Sequence, residues 1–313
     1  MPANAKAPSN KGKPPKATVP RIWRALRTPH PDERPPGVPK LRYRFPLTWL
    51  MSMGRDMLAG RPRSFRADCE LAVRILPRPP VIESAENIPT SGSFALIANH
   101  YQRRDLWIGW EGALLCHALW KAQPDLVCHW ITTDRAVLDG ATVRFSRWAF
   151  ERVARVWDFV LVTPPEALDA ESDQSRRHAL RACLRRLKRP DGRPVCLCVF
   201  PEGMSGSTRR LGAATPGSGR SLLALAATGI PLLPAAVWEN GDGALCARFG
   251  PAWRPEPPSG LERIALDGWT AAEALRRVAA LLPESLRGQR GQWGASSSSP
   301  LHPQGEGERP PCA

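Results

Sequence analysis

The feature that most constrains this chain is a series of short, unbroken apolar runs: Phe94–Ala98, Leu126–Ile131, Phe159–Val162, Val195–Phe200 and Ile230–Val237. A strand with one wet face alternates polar and apolar residues, whereas unbroken runs belong in a sheet covered on both sides. Between them lie stretches of helical length, Leu106–Lys121, Val143–Trp157, Ser175–Lys188 and Ser221–Ala227, and Thr270–Leu282 reads as a last amphipathic helix. This alternation predicts an α/β fold with a mixed, largely parallel central sheet flanked by helices. The uncharged stretch Ser221–Trp238 is long enough to suggest a membrane span. Gly229, Pro231 and Pro234 interrupt it, so it reads instead as a buried helix, a turn and a buried strand.

Charge sorts the rest of the chain. The net charge is +15, and residues 1–66 hold 15 Lys and Arg against 3 Asp and Glu, while residues 67–313 hold 29 against 26. Residues 1–42, with ten prolines and ten basic residues, are expected to be a disordered basic arm. Residues 43–78 are expected to form an N-terminal amphipathic helical segment close to a membrane, 79–285 the α/β domain, and 286–313 a disordered Gly-, Ser- and Pro-rich tail. Within the helical segment, Leu50, Met53 and Met57 fall at i, i+3 and i+7, with Trp49, Met51 and Leu58 nearby. Arg42, Arg44, Arg55, Arg61 and Arg63 flank them. That pattern suits either an interfacial helix or a helix packed on the globule. The basic arm suits an anionic membrane surface or a nucleic acid, or is a solvated tail. It has little of the aromatic interleaving of a single-strand binding platform.

Eight cysteines occur without a CxxC pair, and no apolar leader opens the chain. Both features predict buried free thiols in a reducing, cytoplasmic setting. Cys196 and Cys198 should share one strand face. Cys116-His117 and Cys128-His129 are adjacent rather than spaced pairs, which is not the pattern of a tetrahedral metal site. No metal or redox cofactor is expected.

Three segments carry chemistry. In the first, the apolar run Phe94–Ala98 ends in Asn99-His100, and Asp105 follows five residues after the histidine. The loop beyond a strand's carboxyl end is where α/β sheets bind ligands. A histidine there can take a proton from a hydroxyl, and a carboxylate on its other ring nitrogen fixes the tautomer. His100 and Asp105 can meet if the histidine sits in the loop ahead of the helix that carries the aspartate. The second segment, Phe200-Pro201-Glu202-Gly203, also follows directly on a buried strand. The third, Gly229-Ile230-Pro231-Leu232-Leu233-Pro234, opens another.

Taken together, Asn99-His100-x4-Asp105, Phe200-Pro201-Glu202-Gly203 and Gly229–Pro234 resemble successive blocks of the glycerolipid acyltransferases. These are the lysophospholipid or 1-acyl-glycerol-3-phosphate acyltransferase family. Glu86-Asn87-Ile88-Pro89 resembles that family's lead-in to the first strand, so the similarity spans about residues 80–240. The resemblance implies an O-acyltransferase whose catalytic domain is 79–285, with His100 as general base and Asp105 as its partner. It further implies that Glu202 and Gly203 bind the acceptor, and that acyl-CoA or acyl-carrier protein is the donor. The acceptor would be a lysophospholipid, glycerol phosphate or related lipid. Such an enzyme is expected on the inner face of the cell membrane as a peripheral protein.

The sequence departs from the family in two places. Met204-Ser205-Gly206 stands where the family continues Thr-Arg-Ser, and Trp157–Pro164 lacks the arginine that grips the acceptor phosphate. Arg155 upstream, or Arg209 and Arg210 downstream, are candidates to replace it; otherwise the acceptor lacks a glycerol phosphate. The same departures leave open a catalytically altered lipid-binding protein of the same fold.

Overall fold

The structure, a computed structural model, describes residues 43–101, 106–135, 137–138, 141–142, 145–163, 170–203 and 209–288. Residues 1–42, expected as the basic arm, lie outside the described residues, as do 289–313 of the expected tail. The element order of the described residues is α1 (Leu47–Ala59), α2 (Phe65–Arg74), β1 (Val81–Glu83), β2 (Phe94–Ala98), α3 (Ile108–Ala122), β3 (Val127–Thr133), β4 (Val137–Leu138), β5 (Ala141–Thr142), α4 (Ser146–Trp157), β6 (Val160–Val162), α5 (Ala170–Leu187), β7 (Val195–Val199), α6 (Ser218–Ala226), β8 (Leu232–Glu239), β9 (Leu245–Phe249) and α7 (Arg263–Leu281). Short 3₁₀ turns lie at Ala85–Asn87 and Glu284–Leu286.

Seven strands form one sheet in the order β1-β9-β8-β2-β7-β3-β6, and β4 and β5 form a small separate hairpin. Every pairing in the large sheet is parallel except β8 with β9. This is the mixed, largely parallel α/β sheet that the unbroken apolar runs predict. Strand β2 lies at its centre, with Ile97 opposite Val199 on one side and Pro234 on the other. All five residues of β2 are fully buried. Helix α7 packs on β8 and β2, and α5 packs on β6 and β7. No described helix is long and apolar enough to cross a membrane.

Local chemistry sets several boundaries. Ser64 caps α2, its hydroxyl accepting from the Ala67 amide at 3.2 Å. Helix α1 stops where Gly60 takes a φ of +65°, a left-handed conformation that glycine adopts without strain. Helix α4 starts at Ser146 rather than Val143, because Phe145 has a φ of +70° and cannot belong to a right-handed helix. Helix α7 starts seven residues earlier than Thr270, since exposed Ile264 and Ala265 on its first turn give no apolar face to read.

Around the two N-terminal helices a second, smaller core forms from Trp49, Met53, Val156 and Trp157. Its polar centre is Asp68 on α2. That carboxylate accepts from the Trp49 indole at 2.7 Å, the Trp157 indole at 2.8 Å and the Arg63 guanidinium at 2.7 and 3.0 Å. Arg63 also reaches Asp56 and Ser52 on α1, each at 2.7 Å. Burial would push the Asp68 carboxyl up, but Arg63 and the two indoles outweigh it and hold it below its ordinary value. One charge cluster thus fastens α1, α2 and α4 together.

Candidate active site

The carboxyl ends of β2 and β7 lie side by side, and the residues that follow them form the candidate site. Asn99 is fully buried, and its amide side chain exchanges two hydrogen bonds with the main chain of Val237 on β8, at 2.9 and 2.7 Å. The amide of His100 donates to Glu202 Oε1 at 2.6 Å. The amide of Tyr101 donates to Glu111 Oε2 on α3 at 3.2 Å. Three consecutive residues leaving the sheet are therefore each held by a side-chain contact, and each contact comes from a different element. A backbone departing from a strand loses its ladder partners, and buried side chains here replace them.

Glu202 uses its second oxygen as well. Oε2 accepts from the Gly212 amide at 2.6 Å. The residue is only 5% exposed, and burial pushes its carboxyl up to about 7, against the pull of the two amides. The turn it occupies is fastened to the following segment: the Thr215 amide donates to the Pro201 carbonyl at 2.8 Å and its hydroxyl at 3.1 Å. Gly203 adopts a φ of +70°, and a Cβ there would meet Thr215 Cγ2 at 2.5 Å. Conformation and space both demand glycine.

Behind this loop lies a buried acidic layer. Glu111 is fully buried, and desolvation, with the nearby Glu202 and Glu239, pushes its carboxyl well above the ordinary range. Glu239 accepts from the Tyr43 hydroxyl at 2.9 Å and the Tyr101 hydroxyl at 3.5 Å. Arg209 completes the chain, donating from Nη1 to the Tyr101 hydroxyl at 3.4 Å. Its Nε is buried with no hydrogen-bond partner among the described residues.

His100 opens onto a cavity of about 630 Å³, within the range of small-molecule sites, roughly 300–1,000 Å³. Its walls are mostly apolar and aromatic, with Trp49, Phe65, Trp130, Trp157, Leu180 and Leu222 among them. Pro201 and Gly203 join them from the second motif, and Thr215 from the segment that follows. Phe200 packs between the imidazole and Trp130, with ring centroids 5.0 and 4.7 Å away. Among the described residues, Arg135 just beyond β3 and Arg176 on α5 also line it. Arg135 holds Asp134 through two nitrogens at 2.9 and 3.0 Å, and Thr163 donates to the same carboxylate at 2.9 Å.

Of the residues singled out from sequence, His100, Glu202, Gly203 and Arg209 come together around the ends of β2 and β7. Arg210 is exposed and does not line the cavity. Asp105 lies outside the described residues, as does Met204-Ser205-Gly206. Sequence reasoning missed Asn99 as a tie to β8, the acids Glu111 and Glu239, and the cavity arginines Arg135 and Arg176. Glu111 left a signal, being the sole acid in the apolar helix Ile108–Ala122. His129, by contrast, is structural: it is buried, its Nδ1 is 2.9 Å from the Asp158 carbonyl, and desolvation lowers its pKa.

No protein-family model and no curated protein sequence matches this chain. Among solved structures, it is similar to the crystal structure of the 1-acyl-sn-glycerophosphate (LPA) acyltransferase PlsC from Thermotoga maritima, with a TM-score of 0.43 and 18% sequence identity over 77% of this chain and 83% of that one.

Proposed function

We propose that this protein is an acyltransferase that moves a fatty acyl group from an acyl-CoA or acyl-carrier-protein thioester to a hydroxyl of a lipid acceptor. The observation that carries the reading is His100: a histidine at the carboxyl end of the central strand, its amide pinned by Glu202, opening onto an apolar cavity. An imidazole beside a mostly apolar wall suits a substrate that is mostly hydrocarbon and reacts at one polar end.

In this reading the imidazole of His100 takes the proton of the acceptor hydroxyl as its oxygen attacks the thioester carbonyl. The C–O bond forms, the tetrahedral intermediate collapses, and the C–S bond breaks. The imidazolium returns its proton to the departing thiolate, leaving ester and thiol. Asp105 would orient the ring, as the resemblance implies. The acyl chain would lie along Trp130, Leu180 and Leu222. Arg209, with its unsatisfied Nε, and the cavity arginines Arg135 and Arg176 supply positive charge for an anionic acceptor such as a glycerol phosphate or lysophospholipid. The exposed apolar residues of α1, together with the basic arm, would hold the enzyme on an anionic membrane surface.

The test is incubation of the full-length protein with labelled acyl-CoA or acyl-carrier protein and a total lipid extract, followed by mass spectrometry of labelled products. His100→Ala should lower transfer by about 10²–10⁴-fold with unchanged circular dichroism. An active His100→Ala variant would remove the histidine from the chemistry. Tight acyl binding without transfer by the wild-type protein would identify a lipid carrier instead.

A further inference from the structure

We infer that Glu202 is a positioning residue: its carboxylate clamps the His100 backbone to the 209–217 segment, and so fixes where the imidazole stands, without itself touching the acceptor. The inference rests on the reading of His100 as the general base. It gives Glu202 a role distinct from the acceptor contact that the sequence resemblance implies.

The geometry makes the argument. Each carboxylate oxygen takes one backbone amide at 2.6 Å, Oε1 from His100 and Oε2 from Gly212. Both are short, and both are charge-assisted once the buried carboxyl, pushed up to about 7, is ionised. Pro201 and Gly203, on either side, line the cavity, whereas Glu202 does not. Both its oxygens are taken by backbone amides, and burial leaves little of it for a ligand to reach. The fit on the far side is equally close, since a Cβ on Gly212 would stand 2.9 Å from Oε2. The clamped segment is part of the site: Arg209 meets the Tyr101 hydroxyl, and Thr215 and Gly217 line the cavity.

The residue type follows from the task. Two N–H groups on separate loops point at one buried spot, and only a carboxylate offers two equivalent acceptors there. A glutamine would meet one of the two amides with its own NH₂, donor against donor, so one loop would come loose. An aspartate, one methylene shorter, would not span both. Asn99 and Glu111 hold the residues on either side of His100, so a loosened Glu202 should shift the histidine without unfolding the loop.

The experiment compares full-length wild type, Glu202→Gln, His100→Ala and the double variant, using palmitoyl-CoA and 1-acyl-glycerol-3-phosphate, with circular dichroism as the check on folding. Displacing a catalytic group by about 1 Å costs on the order of 10²-fold, so Glu202→Gln should lower kcat by about tenfold to a hundredfold while the acceptor KM stays within about twofold. Because Glu202 acts through His100, adding E202Q to H100A should cost no more than about threefold further. Amide hydrogen exchange should quicken at His100 and Gly212 together in Glu202→Gln. A raised acceptor KM with kcat retained would overturn positioning in favour of acceptor contact. An undiminished penalty in the H100A background would also overturn it, since Glu202 would then act independently of the histidine. A His100→Ala variant as fast as wild type would instead sink the proposed base.

Discussion

Glu202 and Gly203 adjoin in the chain but are constrained for different reasons, and each gives a prediction. Glu202 titrates near 7 in the fold because it is buried, against an ordinary value of 4.5. Between those values the folded protein holds a proton that the unfolded chain has released. Stability therefore falls as pH rises from about 4.5 to 7 and levels off above, a change of roughly 3 kcal/mol in all. Glutamine does not titrate, so the urea midpoint of Glu202→Gln should show a shallower decline over that range than wild type. Parallel curves would refute the assignment. Gly203→Ala meets both a positive φ and the Thr215 methyl, and should cost about 1–3 kcal/mol. Adding Thr215→Ser removes the methyl and should recover part of that loss but not the backbone strain. Full recovery in thermal melts would show that only the clash matters.

At the scale of elements, the helical N-terminal segment was legible as amphipathic, but not which of its two readings held. The structure shows features of both. Trp49 and Met53 are buried against α4, while Leu47, Leu50, Met51 and Leu58 stand exposed, and Phe145 and Trp148 are exposed at the start of α4. If that outer row rests on lipid, Leu50→Glu with Met51→Glu should weaken co-sedimentation with anionic vesicles and leave the melting temperature unchanged. Equal sedimentation would refute it. The Asp68 cluster predicts the reverse behaviour. Asp68→Asn removes the charge opposite Arg63 and turns one of the two oxygens into a donor, so that one buried indole and one Arg63 N–H lose their acceptor, and should destabilise by about 3 kcal/mol, read from urea unfolding. Strands β2, β7 and β8 were legible because central strands must be apolar on both faces. Strands β1 and β9 were not. The first has only three residues, and the second carries Arg248, which pairs with Glu83 across the sheet and packs over Trp238. A charge satisfied by a neighbouring strand reads, in one sequence, like a loop.

For the molecule as a whole, the site was legible only where chemistry and local sequence coincide. His100 and Glu202 stood out because each ends an apolar run. Asn99 and Glu239 acquire meaning through partners far off in the chain, Val237 for the one and the Tyr43 and Tyr101 hydroxyls for the other, and no window of sequence holds both members of such a pair. That same remoteness has a consequence for how the protein comes into being. The His100–Glu202 bond joins residues 102 apart, and the bonds between Asn99 and Val237 join residues 138 apart. Strand β2 leaves the ribosome early, but its neighbours β7 (Val195–Val199) and β8 (Leu232–Glu239) are made more than 90 residues later. Until β8 emerges, the central strand has open edges and a fully apolar surface, a state that invites aggregation and chaperone capture. Nascent chains halted before residue 239 should therefore stay protease-sensitive and chaperone-bound, and those released beyond β9 should become resistant in one step.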